Sequence, residues 1–252
     1  PSDARGGQIL ADITKDRKIK SVAITYTNND YGKGLADVYE AAVKAHGIKV
    51  TTVSAHEDGK ADYSSEVATL ASAGGDAVAV IGYLDQGGKG IIQGSLDSGA
   101  FDKFILSDGM IGDSLTDAFG KDLNKSFGSM PGSMNKKTAG TFASVAKAAG
   151  IDSSGPYTGE SYDAAALIML AMQAGGSGAS ADIMKHVMNV ANAPGVQIMP
   201  GQLGQALVLL EAGYDIDYVG ATAVELIGPG ESAGNYREIE IQNAKVETVG
   251  YR

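Results

Sequence analysis

The chain has 252 residues, 44% hydrophobic and 20% charged, with no apolar run near the ~20 residues that a membrane-spanning helix needs. Thirty acidic against twenty basic residues give a net charge of -10, which opposes nucleic-acid binding, a function built on basic patches. The absence of cysteine excludes disulfides, thiolate nucleophiles and Cys-ligated zinc, and three scattered histidines leave little for a His-based metal site.

Residues 21–26 form a short apolar run that predicts a buried strand. From Tyr31, the residues Leu35, Val38, Tyr39, Ala42 and Val43 recur at spacings of three and four, predicting a helix capped by Asn29 or Asp30 and ended by Gly47. Strands over 49–54 and 77–81 flank a helix carrying Val67, Leu70 and Ala71, with Asp62 as its cap and Gly74 and Gly75 at its end. A Gly-rich helix with Ile91, Ile92 and Leu96 stops at Gly99. A strand at 103–106, a short helix near 114–119 and a strand at 126–130 follow, making five strands by residue 130. Strands alternating with helices imply parallel pairing and right-handed crossovers, so residues 1–131 are expected to form a doubly wound α/β sheet covered on both faces.

Beyond Pro131 the pattern changes to four successive helices, near 139–149, 159–174, 181–192 and 202–212. Residues 219–227, 236–241 and 246–249 then read as strands joined by hairpin-type turns, the first through Gly228, Pro229 and Gly230. The stretch 164–172 is apolar nearly all round, a mark of burial on more than one side, yet this part of the chain supplies no second sheet. An absent segment carrying that sheet is therefore expected; the alternative is a small bundle in which the four helices cover one another. The chain opens on Pro1 without a basic-then-apolar leader, so an upstream segment is expected on that ground as well.

Residues 82–90 come close to a phosphate loop, but Lys89 falls one place late and Gly90 stands where Ser or Thr would bind magnesium. Residues 228–233 spell a dinucleotide fingerprint, but a strand follows them, so no helix N-terminus would face a pyrophosphate. His46 at a helix end, His56 in a polar loop and His186 within a helix lack ligand-spaced neighbours, and solvated or capping roles are expected for them. No catalytic elbow or zincin motif is present, so neither a catalytic residue nor a metal or other cofactor is expected. Tyr31 follows the first strand, Tyr83 the third and Asp108 the fourth, all at carboxyl ends, where doubly wound sheets bind ligands. Two phenols and a carboxylate on one rim suit a small zwitterion, with Asp108 facing an ammonium. Each residue also has a structural alternative: Tyr31 as a staple for its helix, Tyr83 as packing, Asp108 as a turn former.

Five stretches, in order, resemble one family. They are Pro1-Ser2-Asp3-Ala4-Arg5-Gly6-Gly7, Asn29-Asp30-Tyr31-Gly32-Lys33-Gly34-Leu35, Tyr63-Ser64 with Gly82-Tyr83, Ser107-Asp108-Gly109, and the segment from Gly155 through Tyr162-Asp163 to Ala165. Over essentially the whole chain the sequence is similar to the type I periplasmic binding proteins of branched-chain amino acid ABC transporters, the leucine/isoleucine/valine-binding kind. That resemblance implies two α/β lobes joined by three crossovers and closing on a ligand like a hinge. It makes 1–131 the second lobe, 132–227 the helices returning to an incomplete first lobe, and 228–252 a tail back to the second. It implies Tyr31 and Tyr83 at the ligand wall and Asp108 at the ligand's amino group, where some members carry the longer glutamate. Tyr162 and Asp163 match a family motif on a helix assigned to packing, outside the site.

The function so implied is non-catalytic: a periplasmic protein, or one held at the cell surface by a lipid, that captures an amino acid such as a branched-chain one. Its partners would be a membrane permease and an ATPase, with the missing N-terminal segment as a further possible partner if it exists as a separate fragment. A ligand-sensing role in a receptor or regulator is the alternative, and an enzyme on the same sheet, needing a base or nucleophile near Asp108, is a second rival.

Overall fold

The computed structural model describes residues 1–228 and 230–252. The chain divides into two compact units, one formed by Ser2–Met130 with Tyr236–Arg252 and the other by Pro131–Asn235 with Pro1.

The first unit is built on a seven-stranded sheet. Its strands are β1 (Ser21–Thr27), β2 (Lys49–His56), β3 (Ala77–Ile81), β4 (Phe104–Leu106), β5 (Phe127–Pro131), β10 (Tyr236–Gln242) and β11 (Lys245–Tyr251). The spatial order is β11-β10-β5-β4-β3-β1-β2. The pairs β1–β2, β1–β3, β3–β4 and β4–β5 are parallel, as the alternation with helices requires, and β10–β11 is an antiparallel hairpin. Helices α1 (Asp3–Asp16), α2 (Asp30–Ala45), α3 (Ser64–Ala73), α4 (Lys89–Asp97) and α5 (Asp113–Phe119) supply the covering layers. One core joins Leu10 and Ile13 of α1 to Tyr39 and Val43 of α2 over the sheet; the other joins Leu70, Ile91, Ile92 and Leu115 to Val78, Val80 and Phe104. Both faces of the sheet are thus buried, the arrangement a parallel sheet demands.

Helix α1 goes beyond the sequence expectation. No element is predicted over 3–16, and Gly7 is where α1 meets α2: a Cβ there would stand 2.8 Å from Val38 Cγ1. Two smaller corrections concern β2 and α3. Strand β2 runs on to His56, and α3 starts at Ser64 with Tyr63 in the capping position. Asp62 instead accepts from the Ser64 amide at 2.9 Å, a local turn that precedes the helix. The C-terminal hairpin is tied to α1 by charge: Glu238 pairs with Arg17 at 2.9 Å and with Arg252 at 2.8 Å, Arg17 also reaches Glu240, and Arg252 reaches Asp16. Arg17 lies 5.3 Å over the Phe127 ring.

The second unit contains α6 (Lys136–Ala148), α7 (Thr158–Gly175), α8 (Ser180–Ala191) and α9 (Leu203–Glu211), near the four expected helical spans. Two short strands escape sequence detection: β6 (Val196–Ile198) and β7 (Ile216–Tyr218) pair in parallel. The strand expected over 219–227 is replaced by a turn and then β8 (Leu226–Gly228), which pairs with β9 (Glu231–Ser232). The reason is Asp163 of α7, whose buried carboxylate accepts from the amides of Ala221 and Thr222, from Thr222 Oγ1 and from Tyr218 Oη at 2.7–2.8 Å. Four donors on one side chain hold 221–223 off any ladder. Of the expected Gly-Pro-Gly turn, Pro229 lies outside the described residues. Leu167, Leu170, Val190, Ile198, Ile216 and Tyr218 form this unit's core. The opposite face of α7 is apolar and open: Ile168 is 48% and Met169 47% exposed, as is Val208 of α9 at 64%.

Candidate ligand-binding rim

The carboxyl ends of β1, β3 and β4 carry the three residues singled out by position. Asn29 caps α2 by accepting from the Gly32 amide at 2.9 Å, which fixes Tyr31 in the first turn directly after β1. Tyr83 follows β3 and opens a one-turn π-helix, Leu84–Gly88, whose amides from Gln86, Gly87 and Gly88 all point at the Tyr83 carbonyl at 3.0–3.3 Å. Asp108 follows β4 at the start of a single 3-10 turn.

The structure brings these three side chains together. Tyr31 Oη donates to Asp108 Oδ1 at 2.6 Å and lies 3.2 Å from Ser107 Oγ. The Tyr31 and Tyr83 rings stack with centroids 5.3 Å apart and planes 28° from parallel. Asp108 Oδ1 also accepts from the Gly109 amide at 2.9 Å, and Ser107 Oγ accepts from the Gly82 amide at 3.3 Å. Gly109 is required by this convergence, since a Cβ there would sit 2.4 Å from the Gly82 carbonyl oxygen. All three side chains are half-buried, so each is held by neighbours yet keeps a face open. Burial, reinforced by the charge of Asp108, pushes the Tyr31 phenol far above its ordinary range, so it remains a donor at any physiological pH.

Behind Asp108 lies a cavity of about 10 Å³, the size of one water, lined also by Asp3, Ser107, Ser129 and Tyr236. Burial, and then the charge of Asp108, raise the Asp3 carboxyl above the usual carboxylate range, and burial with both acids raises the Tyr236 phenol. Asp3, Ser129 and Tyr236 were not legible as site residues, because they come from three distant segments and share no local pattern. Chemically the rim offers an acid whose position is fixed by the Tyr31 phenol, together with an aromatic wall, suited to a small molecule with a cationic and an apolar end. Among the described residues no three acidic or histidine side chains come together as metal ligands.

A larger cavity, about 440 Å³, lies in the second unit along Leu167, Ile168, Val187 and Leu226. It is mostly apolar; the Asp163 carboxylate on its border is already engaged by four donors, and Glu160, Glu225 and Asn235 also line it.

A family model described as periplasmic binding protein matches residues 2–203. The chemotactic signal transduction system substrate-binding protein BasB of Halobacterium salinarum is 25% identical over 98% of this chain and 59% of its own length. Among solved structures, a leucine-binding protein from Thermotoga maritima superposes with a TM-score of 0.75 at 16% identity, covering 99% of this chain and 65% of that one. A solute-binding protein of an ABC transporter from Rhodopseudomonas palustris, in complex with p-hydroxybenzoic acid, gives 0.74 at 14% identity over 100% and 65%. This chain therefore spans about three-fifths to two-thirds of the length of these proteins.

Proposed function

This chain belongs to the periplasmic binding protein family, a family of binding proteins and not of enzymes, and from that premise we propose that it captures an amino acid outside the cytoplasm and delivers it to an ABC transporter. The observation that carries the reading is the joined rim of Tyr31, Tyr83 and Asp108. Asp108 would receive the ligand ammonium, and the stacked phenols would wall its apolar side chain. A permease and an ATPase are the partners this role implies. In the same reading the unit holding the rim is the second lobe, and α6–α9 belong to the first. The open apolar faces of α7 and α9 would then receive the sheet of that first lobe from the part of the relatives' length that this chain does not span.

The test is calorimetry of the full chain with leucine, isoleucine, valine and 4-hydroxybenzoate. An amino acid should bind, and Asp108→Ala should weaken it by about 2 kcal/mol, because the buried ammonium loses its charged partner. Binding of 4-hydroxybenzoate instead, undiminished in Asp108→Ala, overturns the amino-acid class. A sensing role is the second reading, favoured by the likeness to a chemotactic substrate-binding protein; co-purification with a transducer rather than a permease would select it.

A further inference from the structure

His56 was expected in a polar loop, but it is the last residue of β2 and only 1% exposed. Its Nδ1 is 2.9 Å from Thr25 Oγ1 of β1, while its Nε2 has no hydrogen-bond partner among the described residues. Two residues on, Asp58 is in the same condition. Its Oδ2 accepts from Thr27 Oγ1 at 2.7 Å, and its Oδ1 is buried without a partner. A buried polar atom left unpaired is costly, and two within one corner call for an explanation.

Both atoms face the backbone that carries Tyr83. A Cβ built on Gly82 would stand 3.2 Å from His56 Nε2; one built on Gly87 would stand 3.0 Å from Tyr63 Oη, 3.1 Å from His56 Cδ2 and 3.3 Å from Asp58 Oδ1. A Cβ at either glycine would crowd the imidazole edge and, at Gly87, the carboxylate as well. The same corner grips the turn from outside, since Tyr63 Oη donates between the Glu57 and Gln86 carbonyls at 2.9 and 3.0 Å, and the Gly59 amide donates to Gln86 O at 2.7 Å. The Tyr63 ring in turn stands edge-on to His56, with centroids 6.3 Å apart.

We propose that His56, backed by Asp58 and Tyr63, is a positioning residue for the 82–88 turn and so for the Tyr83 ring at the rim. The proposal rests on the reading of Tyr83 as ligand wall only for its effect on binding. The displacement of the turn itself does not depend on any ligand.

A consequence for pH follows from the groups around the imidazole. These are Asp58, Glu57 and Lys60 of the following loop, Tyr63, and Glu66 of α3, which is paired with Lys60; β1 contributes only the hydroxyls of Thr25 and Thr27. Burial holds His56 below its ordinary value of 6.5, outweighing the charges of Asp58, Glu66 and Glu57, so the ring is neutral at pH 7. When acid protonates it, Nε2 becomes a charged donor that must find an acceptor. The unpaired Asp58 Oδ1 packs against the same Gly87 backbone as the imidazole edge, so drawing the two together shifts the side chains on which the turn rests, and Tyr83 with it.

The test is an NMR titration of the ligand-free full chain, following the three imidazoles and the amides of Gly82, Gly87 and Gly88. The expected result is a His56 midpoint below 6.5, with the three glycine amides shifting at that same midpoint and not at those of His46 or His186. In His56→Gln the amide transition should vanish. In Asp58→Asn it should persist and move to still lower pH, because a charge that favours the imidazolium has gone; this variant also serves if His56→Gln does not fold. Glycine amides that stay still while His56 titrates, or that titrate unchanged in His56→Gln, overturn the proposal. Isoleucine calorimetry at pH 7 and pH 5 then reads the coupling, with a several-fold loss of affinity expected at pH 5 and lost in His56→Gln. If leucine, isoleucine and valine all fail to bind at both pH values with the amide transition intact, the positioning role stands and the amino-acid reading of the rim is overturned.

Discussion

The two units differ in how completely their secondary structure is covered. In the unit of β1–β5, β10 and β11, helices lie on both faces of the sheet, and Phe104, Ile105, Ile91 and Ile92 are fully buried. In the unit of α6–α9, a pair of three-residue strands is the largest sheet among the described residues, and α7 buries one apolar side while leaving Ile168 and Met169 open. Both units are similarly rich in apolar side chains; what separates them is whether a partner layer lies within the same unit. Hydrophobic stabilisation follows area removed from water, so the same residue type should matter unequally in the two places.

The largest expected effect tests that directly. Phe104→Ala empties a fully buried site and should cost about 3–5 kcal/mol in urea unfolding. Asp163→Ala should come next, at about 3 kcal/mol, because it strands the Ala221 and Thr222 amides and the Tyr218 hydroxyl together; selective loss of hydrogen-exchange protection at 218–222 would locate it in the helical unit. A smaller, pH-dependent effect belongs to Glu238. Burial alone would raise its carboxyl, but Arg252 and Arg17 outweigh burial and hold it below its ordinary value of 4.5. With the folded value depressed, its contribution is present above 4.5 and lost as pH falls through the folded value. Glu238→Gln should flatten that acid limb of the stability profile, and an unchanged limb would assign it to other carboxylates. Ile168→Ser, on the open face of α7, should change stability by less than about 0.5 kcal/mol. If it costs as much as Phe104→Ala, the contrast between the units fails.

What could be read from sequence divides along the same line. The strand at 77–81 is five consecutive buried residues, and the helix at 30–45 keeps its apolar spacing throughout, so both are legible from periodicity. Strands β6 and β7 are three residues each, too short to display a period, and exist because they pair with each other. Helix α1 is obscured by Gly6 and Gly7, which look like breakers and are in fact points of close approach to Tyr236 and Val38. At the rim, Tyr31, Tyr83 and Asp108 were legible because each lies within four residues of the carboxyl end of a parallel strand. His56 was not: its neighbours Glu57 and Asp58 read as solvated loop, and its burial is created by Tyr63 and by the π-turn, neither adjacent to it in sequence.

The position of β10 and β11 beside β5 has a consequence for how the protein is made. A ribosome that has just delivered β5 still has 132–235 to synthesise before the hairpin that covers β5 begins. During that interval β5 is an exposed edge, and Arg17 waits for Glu238, 221 residues downstream. The nascent chain therefore carries an open strand, and a guanidinium without its carboxylate partners, while residues 132–235 are added. Whatever guards it in that window, chaperone or rapid elongation, acts on the sheet that carries the rim.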